Sequence, residues 1–345
     1  MPELRQDPAT REWIVVSTER ARRPQDFKTA TLREPRAEHS PFCPFCGGNE
    51  SQTPPETYAL RTGPPDTPGW RVRVVPNKFP ALVPAGDLTR RLEDGFFRKA
   101  DGVGYHEVIV ETPRHDLELA TMDLPDVQLV VQAYRQRYCQ LREDPRVEAI
   151  IIFRNHGIAA GTSLVHPHSQ IIATPVVPNL IRERIEAASN YYDDTGRCLQ
   201  NEILEKELAS GLRIIDQNES FAAFHPFASR QPFETWVMPR NMQPSFGNIT
   251  DREASHFASI LKEALLRLHV GLNDPDFNFV IHTAPVRDED QKYYGWYLQI
   301  LPRMTTPAGF EIGSGMTINV SLPEQTAAFV RTIRIPEPAA SSCQL

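Results

Sequence analysis

The sequence predicts an α+β protein made of two copies of one unit, each combining a mainly antiparallel sheet with a helix packed on it. Three observations lead there. Short runs of β-branched, aliphatic and aromatic residues recur at hairpin-like spacing along the chain. Two longer segments carry apolar residues at helical period. The order strand, helix, strand, strand then occurs twice, with local similarity between the copies.

In chain order, "EWIVVS" (12–17), "WRVRVVP" (70–76) and "HEVIVETP" (106–113) read as strands. Proline, with 31 residues, clusters between 34 and 86 and again in the tail "IRIPEPAASSCQL", so both stretches are expected to be loops or a loosely held terminus. A helix is predicted over 125–143. There Val127, Val130, Val131, Tyr134, Tyr138 and Leu141 share a face, behind Asp123 as candidate N-cap and Pro125 in the first turn. "EAIIIFRN" (148–155) and "SQIIAT" (169–174) follow as strands, completing the first copy. The second copy opens with "ETWVMP" (234–239), and Thr250 followed by Glu253 forms a capping box for a helix over 251–270. "FNFVIHTAP" (277–285) and "GWYLQILP" (295–302) close it. "EVIVETPRH" matches "ETWVMPRN" just before each helix, and sliding the copies together places Gln299 on Gln170, Tyr297 on His168 and Gly295 on His166. The expected organisation is therefore 1–178, 179–332 and a tail, 333–345.

Composition narrows the function classes. The net charge of -7 and the pI near 5.8 argue against a broad surface for nucleic acid or anionic membrane, so an anionic substrate must meet a local cluster of donors. Apolar runs such as "AIIIF" fall far short of the ~20 residues of a membrane span. The polar start "MPELRQDPATREW" has no signal-peptide core, and a cytoplasmic protein is expected. Five cysteines, an odd number in a long chain, argue against a disulfide framework and favour metal binding for any close pair.

One such pair is Cys43 and Cys46 in "CPFC", a spacing that lets two thiolates reach one tetrahedral ion. A redox pair or simple packing would share that spacing. Two further ligands are needed, and His115 and His166 are candidates from the same half. In the second half the matching positions hold Cys198, Asn201, Asn241 and Gly295, so one metal ion is expected rather than two. In "VHPHSQII", His166, His168 and Gln170 alternate and would line one strand face. With His166 on the metal, His168 is free to act as a nucleophile toward phosphorus, and the Gln170 amide to donate to phosphoryl oxygens. The competing account has both histidines binding metal, or buried and satisfied.

"VHPHSQ" is similar to the histidine-triad active-site strand. Together with "CPFC", "ERARRP", "VVPNKFPAL" and "FRNHGIAAGTSLVHPHSQ", it makes the chain resemble the galactose-1-phosphate uridylyltransferase family from about Arg5 to Val330. The resemblance implies duplicated histidine-triad-like units forming an open antiparallel half-barrel with helices packed on it, in a homodimer. It also implies one structural zinc, or iron, on Cys43, Cys46, His115 and His166, with His168 as nucleophile and Gln170 as the phosphoryl-stabilising amide. For substrate it implies Asn155, Gly161, Thr162 and Ser163 near the diphosphate and Asn77 and Lys78 near the nucleoside. Arg20 and Arg23 would contact the nucleotide sugar from the neighbouring subunit, and Phe310 and Glu311 the hexose. Lys78 stands where well-studied members often carry Asp. "HPHSQ" and "GFEIGSGMTIN" are also similar to the ADP-glucose phosphorylase branch.

Three functions follow in order. The first is ping-pong exchange of the uridylyl group between glucose 1-phosphate and galactose 1-phosphate through His168. The second is transfer of an adenylyl group from ADP-glucose through His168 to phosphate. The third is a zinc-stabilised nucleotide-binding protein without turnover, and the acidic charge balance counts against a nucleic-acid-binding form of it.

Overall fold

Alternating and continuous apolar runs produce strands wherever one or both sheet faces are covered, and most of this chain's strands are of that kind. The structure is a computed structural model that describes residues 1–17, 23–29 and 33–335. Its strands are β1 (Glu3–Gln6), β2 (Trp13–Val16), β3 (Tyr58–Arg61), β4 (Trp70–Pro76), β5 (Arg91–Glu93), β6 (Phe97–Lys99), β7 (Tyr105–Val110), β8 (Ala149–His156), β9 (His168–Thr174), β10 (Ile214–Gln217), β11 (Phe221–Phe224), β12 (Thr235–Pro239), β13 (Phe277–His282), β14 (Tyr297–Pro302) and β15 (Ile318–Asn319). The helices are α1 (Leu124–Leu141), α2 (Asn179–Thr195), α3 (Leu199–Ser210), α4 (Asp251–Leu272), α5 (Gly309–Ser314) and α6 (Pro323–Thr332).

Ten strands form one open antiparallel sheet in the order β10-β11-β12-β14-β13-β8-β9-β7-β4-β3. The duplication is written into that order. Outward from the central β8–β13 pair, β9, β7, β4 and β3 follow on one side, and β14, β12, β11 and β10 on the other. Each half also threads its long helix between corresponding strands, α1 between β7 and β8 and α4 between β12 and β13.

Both long helices cover the same sheet face. Val127, Val130, Val131 and Tyr134 of α1 and Phe257, Leu261, Leu265 and Leu268 of α4 share one core with Ile109, Ile150, Ile152, Ile171, Phe279 and Ile281. Each such fully buried aliphatic or aromatic side chain contributes roughly 1.5–3 kcal/mol of transfer free energy. The expected capping box of α4 forms: the Thr250 hydroxyl accepts from the Glu253 N–H at 3.2 Å and the Glu253 carboxylate accepts from the Thr250 N–H at 2.8 Å. Asp123 precedes α1, yet its side chain makes no capping bond.

The helices α2, α3 and α6 were not signalled by a clear apolar period. In α2 only Arg184, Ala187 and Ala188 are buried, so tertiary contact rather than pattern fixes it. The N-terminal segment packs against the second half of the chain. β2 pairs in parallel with β15, Ala9 lies in a cluster with Phe224, Trp236 and Tyr297, and Arg5 ion-pairs with Glu324. Among the described residues, no helix is long and apolar enough to cross a membrane.

Candidate functional site

The knuckle "CPFC" is shaped by its own backbone. Cys46 N–H donates to Cys43 O at 3.2 Å, Ser40 N–H donates to the Cys46 sulfur at 3.3 Å, and the Asn49 amide ties down the carbonyls of Ser40 and Cys43. Opposite it stand His115, beyond the end of β7, and His166, just before β9. One ligand atom from each of Cys43, Cys46, His115 and His166 lies within 4.8 Å of every other. The His166 Nδ1 is 3.6 Å from each sulfur, the Cys46 sulfur is 3.5 Å from His115 Nδ1, and the two Nδ1 atoms are 3.3 Å apart. Tetrahedral zinc with ordinary bond lengths requires sulfur–nitrogen edges of about 3.6 Å and nitrogen–nitrogen edges of about 3.3 Å, so the donor set fits that ion. His166 Nε2 donates to Thr112 O at 2.7 Å, which fixes the tautomer and leaves Nδ1 as the donor to a metal. Burial pulls His166 down to about 4 and pushes the Cys43 thiol up to about 11. Burial thus opposes charge on Cys43 and His166, and a cation is what would draw a thiolate from the site.

His166 departs from the single polar face that alternation predicted. Pro167 separates it from β9, which begins only at His168, and the His166 ring turns to the cysteines while His168 and Gln170 face the cleft together. Phe45 of the knuckle packs against both rings, with centroids 6.1 Å from His166 and 5.4 Å from His168. His168 Nδ1 donates to His166 O at 2.7 Å, so Nε2 keeps its lone pair. Burial lowers the His168 pKa, the carbonyl bond opposing it, and the ring is neutral at pH 7.

Two cavities meet at His168 and Leu164. One, of about 290 Å³, is lined by the donors Arg33, Arg36, Arg154, Asn155, His156 and Thr162 together with Glu34 and Glu118, and its three arginines are ion-paired with carboxylates of the protein. The other, of about 360 Å³, is largely apolar, with Phe45, Val75, Phe79 and Val108 beside Asn77, Lys78, Ser163 and Gln170. Asn155 is oriented from the second half of the chain. Asn278 accepts from Arg303, a donor-only side chain, and so gives its NH₂ to Ala160 O at 2.9 Å and to Asn155 Oδ1 at 2.7 Å. The Asn155 NH₂ is left for the cleft.

Beneath β9 lies a buried ionic network. Arg154 bridges Glu111 and Glu118, Ser169 and Tyr134 bond to Glu111, and Glu118 also meets Arg36 and His156. Burial alone would raise the Glu118 carboxyl, but Arg154, His156 and Arg36 outweigh it and hold it well below the usual carboxylate range. We expect Arg154→Met to destabilise the protein by about 3–5 kcal/mol, because Glu111 would remain buried without its cation while Glu118 kept only Arg36 and His156. Denaturant unfolding checks this, and a loss under about 1 kcal/mol would refute a structural role for the network.

Gly157, at φ +86°, turns the chain out of β8 where a Cβ would sit 2.0 Å from Asp276 Oδ1, so only glycine fits. In the loop that follows, the N–H groups of Gly161 and Thr162 donate to Ile158 O and Gly157 O and are committed within the loop rather than offered to a diphosphate. Arg20 lies outside the described residues. Arg23 is exposed, and neither it nor Phe310 nor Glu311 lines the cavities at His168; Glu311 borders a separate cavity of about 200 Å³ with Arg230 and Arg303. Sequence reasoning missed Arg33, Arg36, Glu111, Glu118 and His156. One signal was available: Arg154 and His156 continue the inward face of Ile150 and Ile152, where a charge needs a buried partner.

Residues 1–178 match the galactose-1-phosphate uridyl transferase N-terminal domain and residues 184–316 its C-terminal domain. An ADP-glucose phosphorylase of Arabidopsis thaliana is 35% identical, the match covering 97% of this chain and 93% of that one. A galactose-1-phosphate uridylyltransferase of Thermotoga maritima is 30% identical over 97% of this chain and 99% of its own. Among solved structures, the Arabidopsis thaliana ADP-glucose phosphorylase with bound ADP-glucose superposes with a TM-score of 0.81 at 33% identity, covering 97% of this chain and all of that one. The conclusion is that the chain belongs to the galactose-1-phosphate uridyl transferase family and is a nucleotidyltransferase.

Proposed function

We propose that the protein moves a nucleotidyl group from a nucleotide sugar to a phosphate-bearing acceptor through a covalent intermediate on His168. The carrying observation is His168 itself: its Nδ1–H is held by a carbonyl, and its ring stands where a donor-lined cavity meets an apolar one. The nucleoside occupies the apolar cavity, beside Asn77 and Lys78, and the sugar phosphate the donor-lined one, near Asn155 and Thr162. The Nε2 lone pair attacks the α-phosphorus, the bond to the bridging oxygen breaks, and the sugar 1-phosphate leaves with that electron pair. Gln170 and Asn155 donate to oxygens on which charge develops, and the His166 carbonyl steadies the ring as it becomes cationic. An acceptor oxygen then attacks the same phosphorus and returns the electron pair to Nε2.

Sequence reasoning placed the uridylyl donor first. The greater identity to an ADP-glucose phosphorylase now favours ADP-glucose as donor and inorganic phosphate as acceptor, with UDP-glucose and galactose 1-phosphate as the second reading, supported by the Thermotoga maritima relative. Cys43, Cys46, His115 and His166 would hold a zinc ion that anchors the knuckle to the start of β9. Arg20 and Arg23 would contact the nucleotide sugar from the neighbouring subunit of a homodimer, and Phe310 and Glu311 the hexose.

Intact-protein mass after brief mixing with ADP-glucose or UDP-glucose, without acceptor, tests the reading. An adenylyl adduct discharged by phosphate is expected; a uridylyl adduct discharged by galactose 1-phosphate would install the second reading, and no adduct with either would overturn both. The rate of adduct formation should fall to half only below the ordinary histidine value of 6.5, since burial extends the neutral, attacking form of His168 to lower pH. A rate already halved above that value would contradict the assignment.

A further inference from the structure

What Gln170 offers a substrate depends on which way round its amide is held. In the β7–β9 ladder Val108 stands opposite Gln170, which makes His106, two residues earlier, a diagonal neighbour on the same face. His106 Nδ1 accepts the backbone N–H of Ala81 at 3.1 Å. A backbone N–H is always a donor, so the ring proton resides on the other nitrogen, Nε2. That nitrogen lies 2.8 Å from Gln170 Oε1 and donates to it. Its other neighbour, Asn77 Nδ2 at 3.1 Å, is itself a donor and does not compete, since the Asn77 oxygen already accepts from Phe79 N–H. A reversed Gln170 amide would set two donors against each other. The glutamine oxygen is therefore occupied and the NH₂ is turned to the cleft.

The second half of the chain contains the opposite arrangement. There Trp236 stands opposite Gln299 as Val108 does opposite Gln170, and the place of His106 is taken by Glu234. Gln299 Nε2 donates to Glu234 Oε1 at 2.6 Å, and Gln299 Oε1 faces His282 Nε2 at 2.8 Å. With an acceptor as neighbour, the same glutamine turns its NH₂ inward. Tyr297 occupies the nucleophile position in that half.

We propose that His106 is a positioning residue: its Nε2–H holds the Gln170 oxygen and so presents the Gln170 NH₂ to the phosphoryl group at His168. The proposal rests on the nucleotidyl-transfer reading for its effect on rate, but the amide orientation can be read without turnover. His106→Gln and His106→Glu are nearly isosteric; the first can still donate to Gln170, whereas the second imposes the acceptor found in the other half. With the donor that gives the adduct, His106→Glu should lower kcat on the order of 10²-fold, the scale of losing one transition-state donor, with KM little changed, and His106→Gln should stay within a few-fold of wild type. In a Gln170→Ala background the further loss from His106→Glu should shrink to a few-fold. Equal losses in the two variants would make the role one of packing. A full loss that persists without Gln170 would make it direct repulsion of substrate. Either result overturns the proposal. The side-chain amide proton shifts of Gln170, read by nitrogen-edited NMR in substrate-free protein, should move downfield in His106→Glu as a bond to the carboxylate forms. Unmoved shifts also overturn it. If wild type forms no adduct with any nucleotide sugar, the functional reading fails while this last measurement still judges His106.

Discussion

His168→Gly protein mixed with ADP-glucose should carry no nucleotidyl adduct and should turn over slower than wild type by on the order of 10⁴-fold or more. The size follows from what is removed. Covalent catalysis divides one displacement into two, and without a nucleophile the acceptor would have to attack directly, in a site shaped for a ring nitrogen at that point. The loss should fall in kcat, because the cavities that bind the two ends of the donor are lined mainly by other residues. Folding should survive. His168 is the first residue of β9, its ring borders the cleft rather than the α1 and α4 core, and among the described residues the ring's hydrogen bond is to the neighbouring His166 carbonyl. Unchanged metal content and a melting midpoint near that of wild type would separate chemistry from collapse. An adduct of normal mass on the glycine variant, or a rate within about tenfold of wild type, would show that another group receives the phosphoryl centre.

Where the pattern carried information, the sequence was readable because burial there is simple. β4, β7, β8, β9, β12, β13 and β14 are covered on one or both faces and their apolar runs announce them, whereas β10 and β11 carry too short a signal to be read. The hairpin of β5 and β6 is fully exposed and has no apolar pattern to detect. α2 is held by contacts from distant segments, which local period cannot report. The site divides in the same way. Cys43 and Cys46 declare themselves by spacing, and His168 and Gln170 by alternation on one strand. Glu111, Glu118 and Arg36 are gathered from separate stretches of chain, and only Arg154 and His156 left a trace, as polar groups on the apolar face of β8. Orientation was the least readable property. Nothing in "HPHSQ" says which end of the Gln170 amide faces outward, because that is set by His106 and a backbone N–H from Ala81.

Metal analysis of the purified chain should find one zinc ion per protomer, and Cys46→Ser or exhaustive chelation should remove it and lower both stability and the rate of His168 modification. The cluster joins three stretches, the knuckle, the segment after β7 that carries His115, and the turn into β9, which are otherwise held by a few hydrogen bonds and the packing of Phe45. Without an ion, burial opposes charging the Cys43 thiol and the His166 ring. An ion present at about a thousand times its Kd would stabilise the folded state by about 4 kcal/mol through linkage alone, and the unfolding midpoint should rise again when zinc is restored. His166 couples this to the chemistry, since its ring would bind the metal while its carbonyl fixes the tautomer of His168. A site closed by four protein ligands would have no open position for substrate, so a bound ion would act through geometry. Cobalt or cadmium, which accept the same tetrahedral donors, should therefore restore stability and the adduct rate together, to within a few-fold of zinc. A rate that varied by orders of magnitude with the identity of the ion, at equal stability, would mean that the metal touches the reacting phosphate, and the structural assignment would fall.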